Sequence, residues 1–193
     1  MPVHSARRHI AVTCITADLL LLTACTAVST ERSPEAPVLV YTDTAPSLLL
    51  PSRMTAAIEK AYPGFRRSEL SHYDSTIVRS YEFTSRQALN VVIGDFNADS
   101  TLDVVLDGMA SSGGVRLCIL SRTDTFEAVL VEEHPRGIPT DNYLIALPRG
   151  IPSTDSLCVA PLDRDVFVEI MDEKAALLFY YQDDRFHHCL LSD

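Results

Sequence analysis

Residues 91–106, VVIGDFNADSTLDVVL, constrain this chain more than any other stretch. Apolar runs flank a loop with oxygen side chains at Asp95, Asn97, Asp99 and Asp103, and Thr101 takes the intermediate odd position. That layout predicts two strands joined by an acidic turn. Alternate spacing lets side chains at loop positions one, three, five and nine converge, while position seven offers its backbone carbonyl. Hard oxygens around a small void are what Ca²⁺ requires; thiolate or imidazole would be wrong for it. Three carboxylates held together repel one another, and a cation relieves this by on the order of several kcal/mol. The alternative is an Asx-rich turn with no ion, since Asp and Asn cap turns on their own account.

The stretch GDFNADSTLDVV, residues 94–105, resembles the GDFNGDGxxDLVV signature of FG-GAP/VCBS-type repeats. Those are the calcium loops of integrin-like β-propeller blades and of many bacterial surface proteins. The resemblance implies Asp95, Asn97, Asp99 and Asp103 as side-chain ligands of Ca²⁺ and Thr101 as a backbone ligand. The family usually has Gly where Ser100 stands, at a loop position where positive φ is favoured. A non-Gly residue there is strained and points to weak binding, about 10⁻⁴–10⁻³ M. One such loop is visible where a propeller needs several, so no closed propeller is expected.

The amino terminus reads as an address. Residues 1–25 are MPVHSARRHIAVTCITADLLLLTAC: Arg7 and Arg8 precede an apolar run that is too short to span a bilayer. The closing Leu22-Thr23-Ala24-Cys25 resembles the lipobox of bacterial lipoproteins, although Asp18 interrupts the apolar run. The resemblance implies cleavage before Cys25 and acylation of its thiol. Residues 1–24 are then a lipoprotein signal peptide, 25–37 a flexible tether, and 38–193 a single globular domain. Thr26 is not the Asp of an inner-membrane retention signal, so the outer membrane is the expected destination.

The whole chain carries 16 Lys+Arg against 26 Asp+Glu, a formal net charge of −10. Loss of residues 1–24 leaves 14 basic and 25 acidic residues, a net of −11. Such a chain repels nucleic-acid phosphates, so no nucleic-acid partner is expected.

Residues 52–62 read as a helix, with Met54, Ile58 and Ala61 on one face and Pro63-Gly64 as the stop. Strand-like runs occupy 38–41, 75–83, 89–93, 102–106, 115–120, 126–131, 143–147, 166–171, 177–181 and 186–191. Turns are expected at 111–114 and at Gln182-Asp-Asp-Arg185. The predicted class is α+β: an antiparallel sheet of about six to eight strands with the one N-terminal helix packed on it. PRGIP recurs at 135–139 and 148–152, read as two similar loops flanking the strand at Tyr143.

Other candidates are weaker. Cys118, Cys158 and Cys189 permit one disulfide with one thiol left over, or buried free thiols. The histidines show no paired ligand spacing, and no G-x-S-x-G nucleophile motif occurs. Glu169 and Asp172 could be imagined as a glycosidase pair, and 163–165 reads as a solvated start to a strand. The expected function is a non-enzymatic envelope or surface lipoprotein whose calcium loop stiffens a binding or scaffolding domain. It would be held to the membrane by lipid and have an envelope protein or polysaccharide as partner. An envelope hydrolase and a metal-free structural subunit are the alternatives.

Overall fold

Burial on both faces of three successive strands organises the molecule. The computed structural model describes residues 35–41, 46–150, 158, 160–171 and 175–191. The expected signal peptide, Cys25 and most of the expected tether therefore lie outside the described residues, as does Asp172. Among the described residues the first elements are β1 (Val38–Tyr41), β2 (Pro46–Leu49), α1 (Ser52–Ala61) and β3 (Arg66–Arg67). A 3-10 turn (Leu70–His72), α2 (Ser75–Ser80) and β4 (Gln87–Ala88) follow. Then come β5 (Val91–Gly94), β6 (Asp103–Ala110), β7 (Gly113–Arg122) and β8 (Thr125–His134). The last four are β9 (Asn142–Leu147), β10 (Val166–Met171), β11 (Ala175–Gln182) and β12 (Arg185–Leu191).

These strands form three antiparallel sheets. β1 pairs with β2; β4-β5-β6-β7-β8, with β3 added on β6, make six strands; β12-β11-β10-β9 make four. The α+β expectation of one sheet is thereby corrected: strands make up 51% and helix 13% of the described residues, with about twelve strands in three sheets among them. The reason is covering. Along β5, β6 and β7, Val91, Ile93, Val104, Leu106, Leu117 and Ile119 face one way, into a core closed by Leu39 of β1 and by Met54 and Ile58 of α1. The alternate residues Val92, Val105, Cys118 and Leu120 face the other way, against Leu144, Phe167, Phe179 and Tyr181 of the four-stranded sheet. A sheet buried on both sides needs two covers, and one helix cannot supply both.

Helix α1 ends where Gly64 turns with φ 76°, and its buried face is Met54 and Ile58, while Ala61 is exposed. The strand expected at 75–83 is instead α2. Asp74 accepts a hydrogen bond from the Thr76 amide at 2.7 Å as its cap. Tyr73, Ile77 and Tyr81, four apart, turn one face toward Leu89. The apolar spacing of four therefore overrides the β-branched content of STIVRS. The 182–185 turn is a tight hairpin with positive φ at Asp183 and Asp184, 50° and 59°. Around β9, Gly137 and Gly150 of the two PRG sequences both take positive φ, 94° and 84°.

Cys158 and Cys189 are joined in a disulfide with Cα atoms 5.7 Å apart, and Cys118 is a free, buried thiol. Burial pushes the Cys118 thiol well above its ordinary range, so it behaves as a core residue.

Candidate functional site

The acidic loop hangs between β5 and β6, whose register pairs Gly94 with Asp103 at its neck. Ala98 and Ser100 both take left-handed backbone conformations, with φ 62° and 69°. This winding aims amides back at the first carboxylate: Asp95 Oδ1 accepts from the Asp99 amide and Oδ2 from the Ser100 amide, each at 3.0 Å. Asp99 Oδ1 accepts from the Thr101 amide at 2.8 Å, and Asn97 Oδ1 from the Asp99 amide at 3.1 Å. Ser100 thus has the positive φ expected at its place. Ala98 has it too, at a second position where the quoted signature carries Gly.

Asp103 is fully buried beneath the loop. Its Oδ2 accepts from the Phe96 amide at 2.9 Å and its Oδ1 from the Ser121 amide at 2.7 Å. Burial pushes the Asp103 carboxyl up to about 7, against the hydrogen bonds from Ser121 and Phe96 and helped by the charge of Asp99. Partial burial raises Asp99 as well. There the hydrogen bonds from Ser121, Thr101 and Asn97 outweigh it and hold the carboxyl below its usual range.

Ser121, at the end of β7, ties the two acids together: its Oγ lies 2.8 Å from Asp99 Oδ2 and 2.8 Å from Asp103 Oδ1. One hydroxyl carries one hydrogen, so it can donate to only one of the two at a time. Asn97 Nδ2 completes the knot, 2.7 Å from the Ser121 carbonyl and 3.1 Å from Asp99 Oδ2.

Asp165, ahead of β10, fixes the loop from the facing sheet. Its Oδ2 accepts from the Asp95 amide and its own amide donates to the Asp95 carbonyl, both at 2.9 Å. The Arg149 amide and the Arg86 guanidinium bind the same carboxylate, at 2.9 and 3.2 Å. Asp165 is buried, so 163–165 is not wholly the solvated segment expected, although Asp163 is exposed. Sequence reasoning missed Ser121, and it took Asp165 only as part of a solvated segment, not as a partner of the loop. A Ser closing an apolar strand and one Asp in a polar stretch carry no local signal, because their partners stand 18 and 70 residues away.

The structure therefore brings Asp95, Asn97, Asp99 and Asp103 into one hydrogen-bonded turn, with Thr101 on its exposed side. Among the described residues, no group of three or more His, Cys, Asp or Glu side chains already stands at metal-holding geometry. The donors nonetheless suit a hard cation. They are all oxygens, the Asp99 and Asp103 carboxylates are hydrogen-bonded by neutral groups alone among the described residues, and there each Asp95 oxygen accepts one of the two hydrogen bonds it could. The exposed side of the loop borders an open cleft of about 400 Å³, which Arg122, Arg164, Tyr181, Asp183 and Asp184 also line.

Glu169 belongs elsewhere. It is buried against the Arg116 guanidinium and accepts from Asn142 Nδ2 at 2.8 Å, so it is not a free acid facing solvent.

No family model, curated protein or solved structure matches the chain, so the resemblance at residues 94–105 rests on those residues alone.

Proposed function

We propose that this chain is a lipid-anchored, non-enzymatic protein of the bacterial cell envelope or surface, in which Ca²⁺ bound by the 95–103 loop stiffens a binding or scaffolding domain. The observation that carries the reading is the position of Ser121 Oγ, 2.8 Å from a carboxylate oxygen of both Asp99 and Asp103. Among the described residues only neutral donors hydrogen-bond to those two oxygens, namely the shared hydroxyl, Asn97 Nδ2 and the Ser121 amide, and a divalent cation would supply the positive charge they lack. Asp95, Asn97, Asp99 and Asp103 would hold the ion with side-chain oxygens, and Thr101 with its carbonyl. Its chemistry there is charge neutralisation. Because Asp95 is bonded to Asp165 of the facing sheet, stiffening the loop stiffens the contact between the two sheets.

Thermal melting of the full chain tests this. Calcium should raise the melting temperature and EDTA lower it, by about 2.7 kcal/mol of stability at a hundredfold excess over Kd. Asp99→Ala should abolish the response. For the anchor, Cys25→Ala should end metabolic labelling with a fatty-acid analogue; unchanged labelling would exclude Cys25. Turnover of envelope polysaccharide or peptide by the purified protein would overturn the non-enzymatic part.

A metal-free structural subunit is the second reading, favoured by the amide or hydroxyl donor that each Asp95 and Asp103 oxygen already has. A melting curve indifferent to calcium would establish it.

A further inference from the structure

The outward side of the β1–β2 hairpin is apolar. Val38 pairs with Leu49 and Val40 with Ser47, which puts these four side chains on one face. Val38, Val40 and Leu49 are 42%, 38% and 46% exposed, whereas Leu39 on the other face is buried. Leu39 enters the same core as Met54 and Ile58 of α1, against one face of the six-stranded sheet. Hairpin and helix are therefore one layer, and their remaining sides look outward together.

That layer also carries a charge opposite to the rest of the domain. Residues 38–67, the hairpin and α1 together with β3 of the neighbouring sheet, hold Arg53, Lys60, Arg66 and Arg67 against Asp43 and Glu59. Residues 68–193 hold 9 basic and 21 acidic residues. Arg53, Lys60, Arg66 and Arg67 are exposed; Arg67 borders a hollow beside Leu39 and Leu48 of the hairpin, Glu59 shares a cleft with Leu48, and Arg53 reaches over the Phe126 ring of β8. Exposed aliphatic side chains in the same outer layer as exposed Arg and Lys, on a domain otherwise strongly acidic, match the boundary of an anionic bilayer: acyl chains beneath, phosphates beside them.

We infer that the β1–β2 hairpin, with the basic α1–β3 segment beside it, is the surface by which the anchored domain lies against an anionic lipid bilayer. The inference rests on the proposed acylation of Cys25. From Cys25 to Val38 the chain can span at most about 45 Å, so the hairpin is the first described element within reach of the lipid. Repulsion between the phosphates and residues 68–193 would turn the rest of the domain, including the acidic loop, away from the membrane.

The chain contains no Trp, so a single introduced one reports its own surroundings. Full-length protein carrying Val40→Trp, purified from membranes, is reconstituted in phosphatidylglycerol–phosphatidylcholine vesicles with brominated acyl chains. Leu190→Trp, at a 58% exposed position on the edge strand of the four-stranded sheet, is the comparison. The expected result is a blue shift and loss of most emission for Val40→Trp, with Leu190→Trp unquenched. Adding Arg53→Glu and Lys60→Glu to Val40→Trp should restore emission. Protein that floats with the vesicles but is quenched equally at both positions would overturn the hairpin surface and leave the anchor standing. Protein that neither floats nor is quenched would overturn both.

Discussion

The guanidinium of Arg116 on β7 donates to both carboxylate oxygens of Glu169 on β10, at 3.0 Å each, across the interface between the two larger sheets. In its own sheet, Arg116 stands in register between Asp107 of β6 and Glu132 of β8. It binds both, Asp107 at 2.7 Å and Glu132 at 3.2 Å. One buried cation thus joins two adjacent strands to the facing sheet. The carboxylates hold its proton more tightly than usual, although burial alone would loosen it. A planar fork with five donors can do this where the point charge of a lysine cannot.

Removing the cation should cost more than removing one of its partners. Arg116→Met leaves Asp107 and Glu169 buried without their partner and should destabilise by about 3–5 kcal/mol. Glu169→Gln keeps the shape and leaves Asp107 to neutralise the arginine, so about 1–3 kcal/mol is expected. Urea unfolding measures both. An Arg116→Met loss equal to or smaller than that of Glu169→Gln would show that Arg116 is not the hub.

The same pair sets a pH dependence. Burial raises the Glu169 carboxyl, but the hydrogen bonds and charge of Arg116, with Asn142, outweigh it and leave the group below its ordinary range. A group depressed on folding contributes stability that is present above its unfolded value, about 4.3, and is lost as pH falls through the folded one. Urea midpoints taken downward from neutral pH should therefore drop below about pH 4.3. In Glu169→Gln that decline should be shallower, and equal slopes would contradict the assignment.

Ala98 and Ser100 occupy left-handed backbone positions that glycine takes without a Cβ clash. Ala98→Gly and Ser100→Gly should each stabilise the protein by about 1 kcal/mol in EDTA, before any effect on calcium. If the calcium reading is right, Ser100→Gly should also tighten the ion's binding. Chemical denaturation in EDTA separates the two effects, and a destabilised Ser100→Gly would show that residue 100 is not held at positive φ.

Reduction of the Cys158–Cys189 disulfide opens a link between residues 31 apart and should cost about 3–4 kcal/mol. In the folded state Cys118 should resist alkylation, since it is fully buried. Unfolding without reductant should expose it while Cys158 and Cys189 stay blocked, as mass spectrometry of the alkylated peptides would read directly. Alkylation of Cys158 or Cys189 under those conditions would exclude the disulfide.

What residues state locally could be read from sequence. The β10, β11 and β12 runs, the 182–185 hairpin and the 52–61 helix are each coded by their own spacing and turn residues. The oxygen positions of the acidic loop were legible for the same reason, since neighbours in sequence build the turn. Only the tertiary structure decided which strands share a sheet. Val91 and Val92 look alike in sequence, yet one faces α1 and the other the four-stranded sheet. It also decided that Ser121 and Asp165 close the loop and that Arg116, in the apolar run GGVRLCIL, is stabilised by carboxylates from β6, β8 and β10. Those contacts join residues 9 to 70 apart. No periodicity encodes them, because each exists only once burial has removed water and left a charge or hydrogen bond to be satisfied by whatever the fold brings near.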